Sequence, residues 1–274
     1  MSVGCGTAPI DPSVGMHEDV TASLGPISAT FIGTAGRNGS EPNVVNPLIS
    51  ISSGSDTLVS AIVQPPAEAL GGVQLSGAQI GGELQSLCIA RFPGESVPVV
   101  LLQLYTGGAH CCFVVRAWPA TPGATPTDEN NGNAGTEVTK SLAGAEIVTA
   151  DNSFYYAFAP FAASGAPVVV QSFGNGRFVD VTGQHPDLLQ ADANQWMSIF
   201  YQSESQGGSG LGGLGALAAW AGDECRLGIT GEPWAILSQL QSQNMLNSPS
   251  GYPTGQAFID QLHRFLTQHG YCTS

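Results

Sequence analysis

The sequence predicts an α+β fold in which antiparallel sheets come first and helices follow, and three observations predict it. Between about residues 27 and 182, β-branched and aromatic runs alternate with Gly, Pro, Asn and Ser punctuation, the pattern of strands joined by tight turns. After His185-Pro186 the apolar spacing changes to a helical one. The chain has 274 residues, 42% of them hydrophobic, which is enough for a sizeable core. Strands first and helices afterwards argue for segregated layers rather than alternating β-α-β units.

Residues 1–25 mix Gly, Pro, Ser and Asp without periodicity and read as an extended leader. Strands are predicted at Ile27–Gly33, Leu48–Ser53, Thr57–Val63, Glu83–Ala90, Val97–Tyr105, Ala109–Trp118, Ala145–Thr149, Ser153–Phe158, Ala166–Phe173 and Arg177–Val181. Gly174-Asn175-Gly176 between the last two is a strong hairpin signal, because a two-residue turn matching strand twist needs left-handed backbone. Pro119–Gly135 reads as a long exposed connection. Asp187–Tyr201 places Leu188, Ala191, Trp196, Ile199 and Phe200 at helical spacing behind a Pro-Asp start. A Gly-rich stretch at 207–215 leads into a helix over Ala216–Leu227, and Glu232-Pro233 opens another that runs to Leu246. Thr254 is placed to cap a final helix whose Phe258, Leu262, Phe265 and Leu266 share a face. The expected organisation is a leader at 1–25, a β-rich domain at 26–183 and a helical region at 184–274 packed on it.

Charge narrows the partners. Seven Lys and Arg stand against 21 Asp and Glu, for a net charge of −14. With one lysine, Lys140, and arginines scattered at 37, 91, 116, 177, 226 and 264, no basic patch exists to neutralise phosphates. Nucleic acids and anionic lipid surfaces are therefore poor partners. No apolar stretch reaches the roughly 20 residues that span a bilayer, so no transmembrane segment is expected. No signal peptide is visible at the start, and the chain reads as a mature form behind a start methionine.

Six cysteines, at 5, 88, 111, 112, 225 and 272, contain no C-x-x-C pair from which to build a zinc site. They read as disulfides and so place the protein outside the cytoplasm, secreted or in the cell envelope. A bond between Cys225 and Cys272 would tie down the C-terminal tail. On a strand, Cys111 and Cys112 point to opposite faces, which lets each take a separate partner; Cys88 is expected to take one and Cys5 the other. The small residues before Cys5 also allow it to be a lipid attachment point.

The run Val99–Cys112, ending in Gly107-Gly108-Ala109-His110-Cys111-Cys112, resembles a segment of secreted actinobacterial proteins of unknown function. In those proteins it follows an acidic FG-GAP-like loop of the kind found in calcium-binding β-propeller blades. The similarity continues through Asp151–Phe158, Gly165–Val168, Gly176–Thr182 and Leu217–Asp223, within residues 83–227. It implies an extracytoplasmic protein with blade-like antiparallel sheets, too few for a closed propeller and so packed on each other and capped by the helices. It names no activity. Where the family has an Asp-x-Asp-Gly-Asp type loop, this chain has Phe92–Pro98 with Glu95 as the sole carboxylate, so a calcium site is not expected, and no metal or cofactor is.

Candidate chemistry is sparse. His110 beside Cys111 suggests a thiol nucleophile with a base, but strand neighbours face opposite ways, and a backbone-bonded His110 is the simpler reading. No serine sits in Gly-x-Ser-x-Gly. Asp223 and Glu224, adjacent on a helix, point apart. Asp151 reads first as a turn or cap residue and second as an acid partner for His110. Among the aromatic residues, Tyr155, Trp118 and Trp220 are candidates for a ligand-binding surface, with core packing the competing use. The leading expectation is an extracytoplasmic, disulfide-stabilised binding or structural module for an unknown extracellular ligand or protein. The alternative is an extracytoplasmic hydrolase with a His110-centred site between sheet and helical cap.

Overall fold

The computed structural model describes the chain outside residues 1, 10–16, 39–40, 68, 70–71, 76–78, 81–82, 108–111, 141–142, 206–212, 230, 248–250 and 273–274. Its strands are β1 (Val3–Pro9), β2 (His17–Leu24), β3 (Ile27–Asn38), β4 (Glu41–Ser53), β5 (Asp56–Ile62), β6 (Gln74–Leu75), β7 (Gln79–Ile80), β8 (Glu83–Ala90), β9 (Val99–Tyr105), β10 (Phe113–Pro119), β11 (Thr127–Asn130), β12 (Glu137–Lys140), β13 (Ala145–Ala150), β14 (Val168–Gly174) and β15 (Arg177–Asp180). Its helices are α1 (Pro186–Ser205), α2 (Gly213–Arg226), α3 (Glu232–Ser242) and α4 (Gly255–Gln268). Antiparallel sheets followed by helices make this the α+β class that the sequence predicts. Contacts divide the chain into two compact units, one of residues 1–149 with 170–180 and one of residues 150–169 with 181–274.

The first unit is built around three sheets, one of seven strands and two of four, each with four strands in sequence order along its path. These runs are β2-β3-β4-β5, β8-β9-β10-β11 and β12-β13-β14-β15, with β1 and β7 paired to β8 and β6 paired to β9. The middle meander is apolar on both faces because it packs on both neighbours. Leu87, Ile89, Val100, Leu102, Leu104, Val114 and Trp118 join Phe31, Ile49 and Ile51 of the first meander. The alternate residues Cys88, Ala90, Val99, Leu101, Val115 and Ala117 join Ala145, Ile147 and Phe173 of the third. This double burial explains the near-continuous apolar run of β9, unusual for an antiparallel strand with one wet face. Two of the long polar side chains inside it are paired. Arg116 is held by both oxygens of Asp128 at 2.6 Å and by the Gln64 carbonyl at 2.5 Å. Gln103 accepts from Thr136 at 2.6 Å and donates to the Gln85 carbonyl at 3.2 Å.

Several expectations are corrected. Within the stretch read as an extended leader, Val3–Pro9 and His17–Leu24 are strands, β1 pairing with β8 and β2 with β3. Ser153–Phe158 is not a strand, because Asp151 caps a turn of 3-10 helix at Asn152–Phe154 and Tyr156 takes a left-handed φ of 63°. The 119–135 connection contains strand β11, held by Arg116–Asp128 across the ladder. The β14–β15 hairpin turns as predicted, with Asn175 at φ 53° and Gly176 at φ 75°. Glu95, the lone carboxylate of Phe92–Pro98, accepts from the Asn175 N–H at 2.8 Å, so it serves the hairpin.

Cys5 is bonded to Cys88 and Cys225 to Cys272. Cys112 is also disulfide-bonded, and Cys111 lies outside the described residues. The expected bonds from Cys88 and Cys5 to the Cys111-Cys112 pair are therefore overturned. The reason is register: Cys5 sits directly across from Cys88 on the neighbouring strand, with Cα atoms 4.1 Å apart, whereas β9 offers Leu101 opposite Cys88. With its sulfur in that bond, Cys5 cannot carry a lipid thioether.

In the second unit every residue of α2 from Gly213 to Cys225 is buried. Gly215 lets α2 touch the Phe161–Ala163 turn, since a Cβ there would stand 2.2 Å from the Ala163 carbonyl oxygen. Helix α4 buries Phe258, Ile259, Leu262 and Leu266 on one face, and its Phe265 meets Phe154 edge-on at 4.9 Å. Thr254 occupies the N-cap position of α4 without a side-chain bond.

Candidate functional site

Three places combine polar or aromatic groups in ways that packing alone does not require. The first is a buried acid pair in the second unit. Asp223 of α2 is fully buried, and neither of its oxygens meets a donor. It faces Asp192 of α1, whose Oδ2 already accepts from the Val168 N–H at 2.8 Å and the Trp196 Nε1–H at 3.0 Å. A carboxylate buried beside another carboxylate and without a donor is costly to ionise, so Asp223 holds its proton. Burial first, then the charge and hydrogen bond of Asp192, push the Asp223 carboxyl up to about 10, against the pull of Arg226. Glu224 points elsewhere, accepts from the Trp220 Nε1–H at 3.2 Å, and is raised chiefly by burial.

Around this pair runs a polar chain. The Arg226 Nη1 donates to the Val168 carbonyl at 3.4 Å, and its guanidinium lies 4.2 Å from the Tyr271 ring centre. The Tyr271 hydroxyl donates to Asp151 Oδ2 at 2.6 Å, and burial foremost raises that phenol. Asp151 Oδ1 accepts from the Ser153 N–H at 2.8 Å. Both oxygens of Asp151 are thus engaged in holding turns together. That is the cap role. His110 lies outside the described residues.

The second place is the aromatic loop. Tyr155 stacks on Phe161 with ring centres 5.0 Å apart, and Tyr156 leans on the same ring at 5.6 Å. Trp118 and Trp220, 2% and 4% exposed, do not join them. They are core residues, which corrects their reading as ligand-binding surface: large apolar rings at inward positions of β10 and α2 follow the burial pattern of those elements. Tyr155 is half-buried, and burial raises its phenol.

The third is a shallow groove of about 400 Å³ in the first unit, beside Cys5 and lined in part by Gln85, Glu137, Thr139 and Lys140. Among the described residues no cluster of three or more His, Cys, Asp or Glu side chains is arranged to hold a metal ion. No helix among them is long and apolar enough to cross a membrane.

The sequence singles out Asp223 beside Glu224 but not its approach to Asp192, nor the Tyr156–Phe161 contact. A signal for the first was present in Leu217–Cys225, where two adjacent acids sit inside an otherwise apolar helix. Tyr156 offers no such signal, since its left-handed backbone follows from the turn around it.

Comparison with known proteins gives distant relatives. The chain is 28% identical over 204 residues to a Synechocystis protein named "Probable thylakoid lumen protein", a match covering 64% of this chain and 56% of that protein. It is 26% identical over 188 residues to an uncharacterized protein of Sinorhizobium fredii, covering 62% of this chain and 27% of the relative. The matched region is thus little more than half the length of the first relative and about a quarter of the second. No family model and no solved structure matches, so this chain stands as a disulfide-linked α+β protein with similarity to a lumenal one.

Proposed function

We propose that this protein is an extracytoplasmic, disulfide-stabilised binding or structural module, not an enzyme built on Asp151. The observation that carries the proposal is the pair of disulfides, Cys5–Cys88 and Cys225–Cys272, one within each unit. Such bonds persist where the surroundings are oxidising. Similarity to a protein named for the thylakoid lumen supports the same side of a membrane. The resemblance to secreted FG-GAP-like proteins is supported by the four-stranded antiparallel meander β2-β3-β4-β5, which has the strand number of a propeller blade. The capping of the 3-10 turn by Asp151 and its bond from Tyr271 favour the turn role of that acid.

The test is a disulfide map. Non-reducing mass spectrometry of the protein isolated from its own host should find the 5–88 and 225–272 peptides cross-linked. Six free thiols in that preparation would overturn the compartment and the module reading together.

A further inference from the structure

The Cys5–Cys88 bond has an inner and an outer end. Cys88 is 1% exposed on β8, whereas Cys5, directly opposite it on β1, is partly exposed and lines the 400 Å³ groove. Thiol–disulfide exchange needs a thiolate to reach one of the two sulfurs, and access decides which. On the wall of the same groove stands Lys140, the one lysine of a chain whose net charge is −14. A cation there favours both an incoming thiolate and the one that leaves, against a molecular field that otherwise repels anions. Glu137, at the other end of β12, also lines the groove and acts with the opposite sign.

The bond fastens a strand that burial holds weakly. Strand β1 ends the path of the seven-stranded sheet, and among its described side chains Val3 is the buried apolar anchor. On the other face of the strand, a Cβ at Gly4 or Gly6 would run into the Ser23 or Thr21 carbonyl oxygen of β2. This face therefore admits no side chain and adds little apolar area. Beyond the β1–β8 ladder and the 2.8 Å bond from the Arg91 N–H to the Ser2 carbonyl, the disulfide is the chief tether.

We propose that Cys5–Cys88 is a reversible clasp: a dithiol reductant enters the groove, opens the bond at Cys5 and so frees β1 from the edge of β8. The inference rests on the extracytoplasmic disulfide reading and adds its regulation. A thiolate of the reductant bonds to Cys5 Sγ; the Cys5–Cys88 bond breaks, and its electron pair leaves on Cys88 Sγ, which takes a proton. The reductant's second thiolate then attacks its own first sulfur, and Cys5 leaves as a thiolate and is protonated. The protein's disulfide thus gains two electrons and two protons, and the dithiol becomes a disulfide. Release of β1 turns Glu83–Ala90 into an unpaired sheet edge, on which another strand can form.

The test uses the full, oxidised protein with catalytic thioredoxin, its reductase and NADPH, stopped at intervals by alkylation and read by peptide mass spectrometry. Cys5 and Cys88 should be alkylated about tenfold sooner than Cys225 and Cys272. A thioredoxin lacking its second cysteine should be trapped on Cys5 and not on Cys88. Lys140→Ala should slow the reduction about threefold and Lys140→Arg restore it, while Glu137→Gln should speed it, opposite signs that altered packing does not produce. After reduction, hydrogen exchange should quicken in Val3–Pro9 and Glu83–Ala90 and stay slow in β3 and β10. Earlier opening of Cys225–Cys272, trapping on Cys88, or unchanged protection of β1 would overturn the proposal. So would loss of protection through the whole sheet unit, which would make the bond a plain staple. Any of these with the 5–88 link present in the host-isolated protein overturns the clasp alone, whereas six free thiols there would remove the extracytoplasmic reading as well.

Discussion

Asp223 makes stability depend on pH in an unusual direction. Its carboxyl, ordinarily at 3.8, is raised to about 10 by burial and by Asp192. Below about pH 4 the acid is neutral in folded and unfolded chains alike. Above that, the unfolded chain releases a proton that the folded chain retains, so stability falls as pH rises, by up to about 1.4 kcal/mol per pH unit. Thermal unfolding of the helical unit should therefore occur at lower temperature at about pH 8 than at about pH 5. Asp223→Asn, which stays neutral at every pH, should flatten that slope and raise the midpoint at the higher pH. A flat wild-type profile would show that Asp223 is ionised. A second prediction concerns Tyr271. Tyr271→Phe removes the 2.6 Å bond to Asp151 while keeping the ring under Arg226, and should cost about 1–2 kcal/mol in urea unfolding.

At the scale of elements, the doubly buried middle meander sets what substitutions do. Trp118→Ala on β10 should destabilise the sheet unit by about 3–5 kcal/mol, read by denaturant unfolding, as expected of a core ring. Glu95→Ala should cost about 1 kcal/mol by removing the acceptor at the Asn175 turn. These elements were legible in the sequence to different degrees. Helix α4 and the β14–β15 hairpin announce themselves, because apolar spacing and Asn-Gly chemistry are local properties. Strands β1, β11 and β12 are hidden, since Val3–Pro9, Thr127–Asn130 and Glu137–Lys140 carry little apolar pattern and take their form from the ladders they join. Ser153–Phe158 misleads for the opposite reason. Its aromatic density is that of a strand, yet the Asp151 cap turns the backbone. The acid pair escapes because Asp192 and Asp223 meet only when α1 and α2 pack.

At the scale of the molecule, each mapped disulfide closes a loop inside one unit, 83 residues for Cys5–Cys88 and 47 for Cys225–Cys272. Removing either by Cys→Ser pairs should cost about 4 kcal/mol in the loop-entropy estimate. Calorimetry should show the sheet unit responding to the first and the helical unit to the second, with the two effects adding in the combined variant. The sandwiched middle meander bears on how the chain is made. Strands β2–β5 leave the ribosome before β8–β10, and β12–β15 only afterwards. One apolar face of Val99–Tyr105 can be covered as it emerges, while the other waits for residues still unsynthesised. During that interval the nascent chain exposes a sticky β-surface, so chains truncated near residue 135 should aggregate, and the waiting face is where a chaperone would be needed most.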